Sequence, residues 1–97
     1  MAKKIIWSPR SISNLESVFE YISRDSHVYA SHFVDRIISV IEKIPDFPES
    51  GRVVPEYNDS DIREKIFGNY RIVYRLREEI IEIAAIVNAA QLLTKIE

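Results

Sequence analysis

The sequence predicts an α+β domain in which an N-terminal strand and an antiparallel helical hairpin precede a three- to four-stranded antiparallel sheet. Two observations carry that expectation: apolar residues recur at helical intervals as far as Ile44, and beyond the stretch Pro45 to Gly51 the pattern changes to the alternation of strands. This order segregates helices to one face of a sheet.

Residues 3 to 7 read as a short strand, ended by Ser8-Pro9 as helix N-cap and first helical residue. Trp7 and Ile12 then have the spacing of a hydrophobic staple. Ile12, Leu15, Val18, Phe19 and Ile22 make residues 9 to 24 an amphipathic helix, with Glu16, Glu20 and Arg24 on its wet side. After the break RDSH, a second helix follows from Ala30, Phe33, Val34, Ile37, Ile38, Ile41 and Ile44, stopped by Pro45. So short a connection makes the two helices an antiparallel hairpin. RVVPEY, IREKIF, YRIVYRLR and IIEIAAIVN then read as strands.

At 97 residues the chain is expected to be one domain over 1–97. Its 46% hydrophobic and 29% charged residues, with two glycines and four prolines, are those of a folded globule. Without cysteine it has neither disulfides nor thiolate chemistry, and the N-terminal apolar run is too short for a signal peptide or membrane span, so a cytoplasmic location is expected. A net charge of −2 argues against coating nucleic acid, which needs a large positive excess.

Arg63, Lys65, Arg71, Arg75 and Arg77 nonetheless crowd one segment. On the strand from Tyr70, alternation points Tyr70, Ile72, Tyr74 and Leu76 to the helices and Arg71, Val73, Arg75 and Arg77 away. A two-residue turn at Glu78-Glu79 pairs Tyr74 with Ile83, Ile72 with Ala85 and Arg75 with Glu82. At Gly68-Asn69 two registers compete. A three-residue connection, Phe67 to Asn69, places Lys65 opposite Arg71 and Ile62 opposite Tyr74 and gathers the cations away from the helices, with Glu64 pointing inward. A two-residue turn sends Arg63 and Lys65 to the core side and exposes Ile66. Burying two cations costs more than a bulged turn, which favours the longer connection. The resulting basic face, joined by Arg52, is either a surface for a phosphate backbone or acidic partner or an ordinary charged sheet face.

Other constellations have plainer readings. His27 and His32, five apart, do not share a helical face for metal ligation, and Asp59, Asp61 and Glu64 suit turn chemistry and an ion pair. The common cofactor and hydrolase motifs are absent, so no cofactor and no metal are expected.

The stretches WSPRSISNLESVFEYI, GRVVPEY and IREKIFGNYRIVYRL, followed by IIEIAAIV, resemble the RelE/ParE toxin superfamily of type II toxin-antitoxin systems, closer to its ParE branch. The resemblance runs from Ile5 to about Leu93. It implies a β-α-α-β-β-β fold and a toxin held inactive by a cognate antitoxin. ParE-like members bind and poison DNA gyrase; RelE-like members cut messenger RNA on the ribosome. Carried over to this chain, RelE-type basic positions resemble Arg63, Lys65 and Arg71. Where many relatives end their last strand in a histidine or basic residue, this chain has Asn88 and Gln91, which cannot shuttle a proton, and no tyrosine follows Tyr74. The resemblance therefore implies gyrase inhibition by binding, without catalytic residues, with Arg63, Lys65, Arg71, Arg75 and Arg77 contacting target or antitoxin. The alternatives are a ribosome-dependent endoribonuclease and a non-toxic antitoxin-binding module.

Overall fold

A computed structural model describes residues 3–91 and residue 93; residues 1, 2, 92 and 94–97 of the expected single domain lie outside that description. Strand β1 (Lys4–Trp7) leads into helix α1 (Pro9–Ser23) and helix α2 (His27–Lys43). A 3-10 turn over Ile44–Asp46 is followed by β2 (Arg52–Val53), β3 (Ile62–Phe67), β4 (Tyr70–Leu76) and β5 (Ile80–Asn88). Ser8 caps α1 by accepting a hydrogen bond from the Ser11 amide, and Ser26 caps α2 by accepting one from Tyr29. The stretch RVVPEY supplies only the two residues of β2.

The sheet has five strands in the order β1-β5-β4-β3-β2. It is mixed, not purely antiparallel: β1 lies parallel to β5, pairing Lys4 with Ile80 and Trp7 with Ile83. That arrangement follows from the hairpin, because α1 and α2 return the chain across one face and leave β1 free to join the last strand. Beyond the end of β1, the α1 N-cap and a side chain of α1 take over its pairing role. Ser8 Oγ donates to the Ala84 carbonyl and Asn14 Oδ1 accepts from the Ile86 amide, both at 3.0 Å, so the uncovered flank of β5 keeps its hydrogen bonds.

The main core lies between helices and sheet, where Val18, Ile37, Ile41 and Ile44 meet Ile72, Tyr74, Ile81, Ile83 and Ile86. Tyr74 pairs with Ile83 and Arg75 with Glu82 as the alternation predicts, but Ile72 faces Ile86 and not Ala85. A bulge between Val73 and Tyr74 leaves Ala84 unpaired and shifts the register by one residue. The opposite face of the sheet is not simply solvated either. Val54, Val73, Ala84, Ala85, Val87 and Leu93 form a second small cluster beneath the segment around Tyr57.

The hairpin at Gly68-Asn69 takes the shorter connection. Phe67 pairs with Tyr70, Ile66 with Arg71, Lys65 with Ile72 and Arg63 with Tyr74, and Ile66 is 52% exposed. Gly68 takes φ 57°, the left-handed conformation that a two-residue hairpin turn favours at its first position. This register puts Arg63 and Lys65 on the core side, where burying cations is costly. That cost stays small because β3 is the fourth strand of the sheet and lies toward the rim, leaving Lys65 only half-buried, and because Arg63, with its side chain 15% exposed, donates to backbone carbonyls.

Candidate functional site

The five cations do not share a face. Arg63 and Lys65 sit on the helix side of β3, opposite Tyr74 and Ile72, whereas Arg71 and Arg75 project from the other side of β4 and Arg77 follows its end. The expected basic plate is therefore split by the sheet itself, since a one-residue change of register inverts every side chain of β3.

Arg63 is turned to internal use. Its Nε donates to the Ser60 carbonyl at 2.9 Å, and its Nη1 donates to the carbonyls of Glu49 and Gly51 at 3.1 and 3.0 Å. This fastens the connection after α2 to the sheet. The hydroxyl of buried Tyr74 completes the fastening by donating to the Pro48 carbonyl at 2.7 Å and accepting from the Gly51 amide at 3.0 Å. Gly51 is required there: a Cβ would stand 2.5 Å from Tyr74 Oη and 2.7 Å from the Glu64 carbonyl oxygen.

Arg71, expected at the solvent, is only 4% exposed and lies at the centre of an ion network. Its Nε donates to Glu64 Oε1 at 2.6 Å, while Nη1 and Nη2 hold the two oxygens of Glu56 at 2.6 and 2.8 Å in a bidentate fork. Nη1 also reaches the Gln91 carbonyl at 3.0 Å. Glu64 is 1% exposed on the face away from the helices, and its other oxygen accepts from Arg52 Nε at 2.6 Å, so the partner it needs is a pair of arginines. Hydrogen bonds from Arg71, reinforced by the Leu93 amide, hold the Glu56 carboxyl at about 2, below its ordinary 4.5. Reciprocally, the hydrogen bonds to Glu56 raise the Arg71 pKa above its normal range.

The remaining cations differ. Arg75 approaches Glu82 at 3.5 Å across the strands, and Arg77 is exposed. Lys65 is half-buried and, among the described residues, is in no ion pair. Asp59 Oδ1 accepts from the Asp61 amide at 2.9 Å, the turn role expected of it. His27 and His32 are both exposed, and among the described residues no group of three histidines or carboxylates could hold a metal ion. Asn88 Oδ1 accepts from the Ala90 amide at 2.9 Å, capping the end of β5.

Sequence periodicity conceals a second surface. Ile12, Leu15 and Phe19 of α1 and Val34 and Ile38 of α2 do not all turn to the sheet; with Trp7 and Glu16 they line an open apolar groove of about 440 Å³. Ile12 is 48% exposed there and lines the groove beside Trp7. The signal was a helical stripe too wide for one contact, since a single buried face needs fewer apolar positions per turn. Among the described residues no helix is long and apolar enough to cross a membrane.

Comparison with known proteins matches residues 5–93 to the family described as the ParE toxin of the type II toxin-antitoxin system, parDE. Y4kP of Sinorhizobium fredii, named as a candidate toxin, is 29% identical over 91 residues, spanning 92% of this chain and 91% of that protein. Among solved structures, the chromosomal ParDE toxin-antitoxin system from P. aeruginosa superposes with a TM-score of 0.75 at 14% identity, over 90% of this chain and 96% of that one. The YoeB dimer from Staphylococcus aureus superposes with a TM-score of 0.60 at 16% identity, covering 90% and 97%. At such identities the two superpositions speak for the fold alone.

Proposed function

The chain belongs to the ParE toxin family of type II toxin-antitoxin systems, and from that premise we propose that it acts on its target by binding and not by cutting RNA. The observation that carries this reading is the state of Arg71. Cleaving a phosphodiester needs a cation free to meet charge at phosphorus, yet this guanidinium is committed to Glu56, Glu64 and the Gln91 carbonyl. A phosphate approaching it would meet two carboxylates. Asn88 and Gln91 add no proton shuttle, and Arg63 is occupied by backbone carbonyls.

The target proposed is DNA gyrase, in line with the ParE assignment, and the inhibitor of the toxin is a cognate antitoxin. For the antitoxin the groove between α1 and α2 is the favoured seat, because an amphipathic helix lays its apolar face into such a trough and Trp7 and Phe19 supply aromatic anchors. Of the five cations first expected to make contacts, Lys65 and Arg77 remain available for acidic partners; Arg75 faces Glu82, and Arg63 and Arg71 are occupied within the chain.

Purified toxin added to a gyrase supercoiling assay tests the reading. Stoichiometric inhibition or trapping of cleaved DNA is expected, and a translation mixture should show no new cuts in messenger RNA. Unimpaired supercoiling at every toxin ratio, or toeprints of cleaved messenger, would overturn it.

A further inference from the structure

A separate surface lies on the other flank of α2, where the helix overlooks β3. Phe33 of α2 packs on Phe67 of β3 with ring centroids 5.3 Å apart and on Tyr70 at 5.8 Å, and Tyr29 extends the stack outward at 6.1 Å. Tyr29 is 59% exposed, and Tyr29, His32, Phe33 and Arg36 line a concavity of about 290 Å³. From the Phe33–Phe67 contact, three residues along α2 rise about 4.5 Å to Arg36, and two residues along β3 span about 6.6 Å to Lys65. The two cations therefore each lie two or three residues from the same aromatic contact, one on α2 and one on β3. Among the described residues neither is in an ion pair, although acids are in excess over the whole chain. Asp35 offers no local neutralisation, being set about 100° round the helix from Arg36.

We propose that this angle between α2 and β3 docks an acidic protein segment, whose carboxylates meet Arg36 and Lys65 while an apolar side chain lies on the shelf of Tyr29, Phe33 and Phe67. The inference deepens the reading of a toxin that works by binding: the antitoxin helix and the target engage opposite flanks of one helix. Protein fits the site better than nucleic acid. Two unpaired cations on a chain of net charge −2 are too few to follow a phosphate backbone, but they suit two carboxylates beside an aromatic anchor.

The probe is a fluorescein-labelled peptide, Glu-Asp-Leu-Glu-Glu-Phe-Asp, titrated into the full chain and followed by anisotropy and by amide shifts in NMR. Shifts confined to residues 29–36 and 65–70 are expected, together with binding about tenfold weaker for R36E/K65E, which reverses both charges. Both side chains reach the surface, so the variant should fold; the milder R36A/K65A should fall between. No shifts up to millimolar peptide, shifts elsewhere, equal binding by R36E/K65E, or tighter occupation of the same residues by oligothymidylate would overturn the proposal. In cells, R36E/K65E should spare growth while still co-purifying with antitoxin. Undiminished toxicity of that variant refutes the docking surface alone. A wild-type chain that leaves growth untouched refutes the toxin reading, and the peptide titration still decides the surface.

Discussion

Arg71→Met isolates the ion network on the outer face of the sheet. The substitution keeps the apolar stem and removes the guanidinium from between Glu56 and Glu64. Glu56 can turn to solvent, but Glu64 is 1% exposed and keeps only Arg52, whose own side chain is mostly in water. Removing one partner of a buried pair costs about 3–5 kcal/mol, against about 5–15 kcal/mol for the whole stability of a small domain. For a chain of this length that is a fall in Tm on the order of 15–30 °C. Replacing Glu64 by leucine in the same protein removes the stranded carboxylate, so E64L/R71M should recover most of the loss. Urea denaturation followed by the fluorescence of Trp7, the single tryptophan, measures both proteins. A loss below about 1 kcal/mol in R71M, or a double variant no more stable than R71M, would refute the view that Glu64 depends on this arginine.

Two further outcomes follow from the same region. The Glu56 carboxyl titrates at about 2 in the folded protein and near 4.5 otherwise, so its contribution is complete above the higher value and disappears as pH falls toward the lower. Urea midpoints should therefore decline from about pH 5 downward, and E56Q should flatten that decline while lowering stability at pH 7; parallel curves for both proteins would contradict the assignment. Gly51→Ala places a methyl group against Tyr74 Oη and the Glu64 backbone, so a loss of about 1–3 kcal/mol is expected, and Tyr74→Phe in the same chain should relieve part of it. An unchanged urea midpoint in G51A would show that the connection after α2 yields easily.

The helical half of the fold was legible because its signals are local. Ser8-Pro9 and Pro45 mark helix boundaries through capping and backbone geometry within a few residues, and the turn at Glu78-Glu79 places Tyr74 on Ile83 and Arg75 on Glu82. What escaped depends on contacts distant in sequence. The bulge at Ala84 left no turn residue to announce it. At Gly68-Asn69 the sequence does not show that β3 lies toward the rim of the sheet or that carbonyls of the connection after α2 reach Arg63. Arg71 read as a solvent residue because alternation reports a side and not what covers that side; Glu56, Glu64 and Gln91 reach it from three other segments. The apolar groove was hidden for a related reason, since one helical period serves both a core and a partner-binding stripe.

The parallel pairing of β1 with β5 also bears on how the molecule comes into being. Strand β1 is made well before its hydrogen-bonding neighbour β5, so during synthesis it waits unpaired until Ile80 to Ile83 have left the ribosome. Until then the helices lack most of the surface they rest on. The finished toxin thus arises in one late closure, and a nascent chain arrested before its final strand would hold neither the first strand nor the helical pair in place.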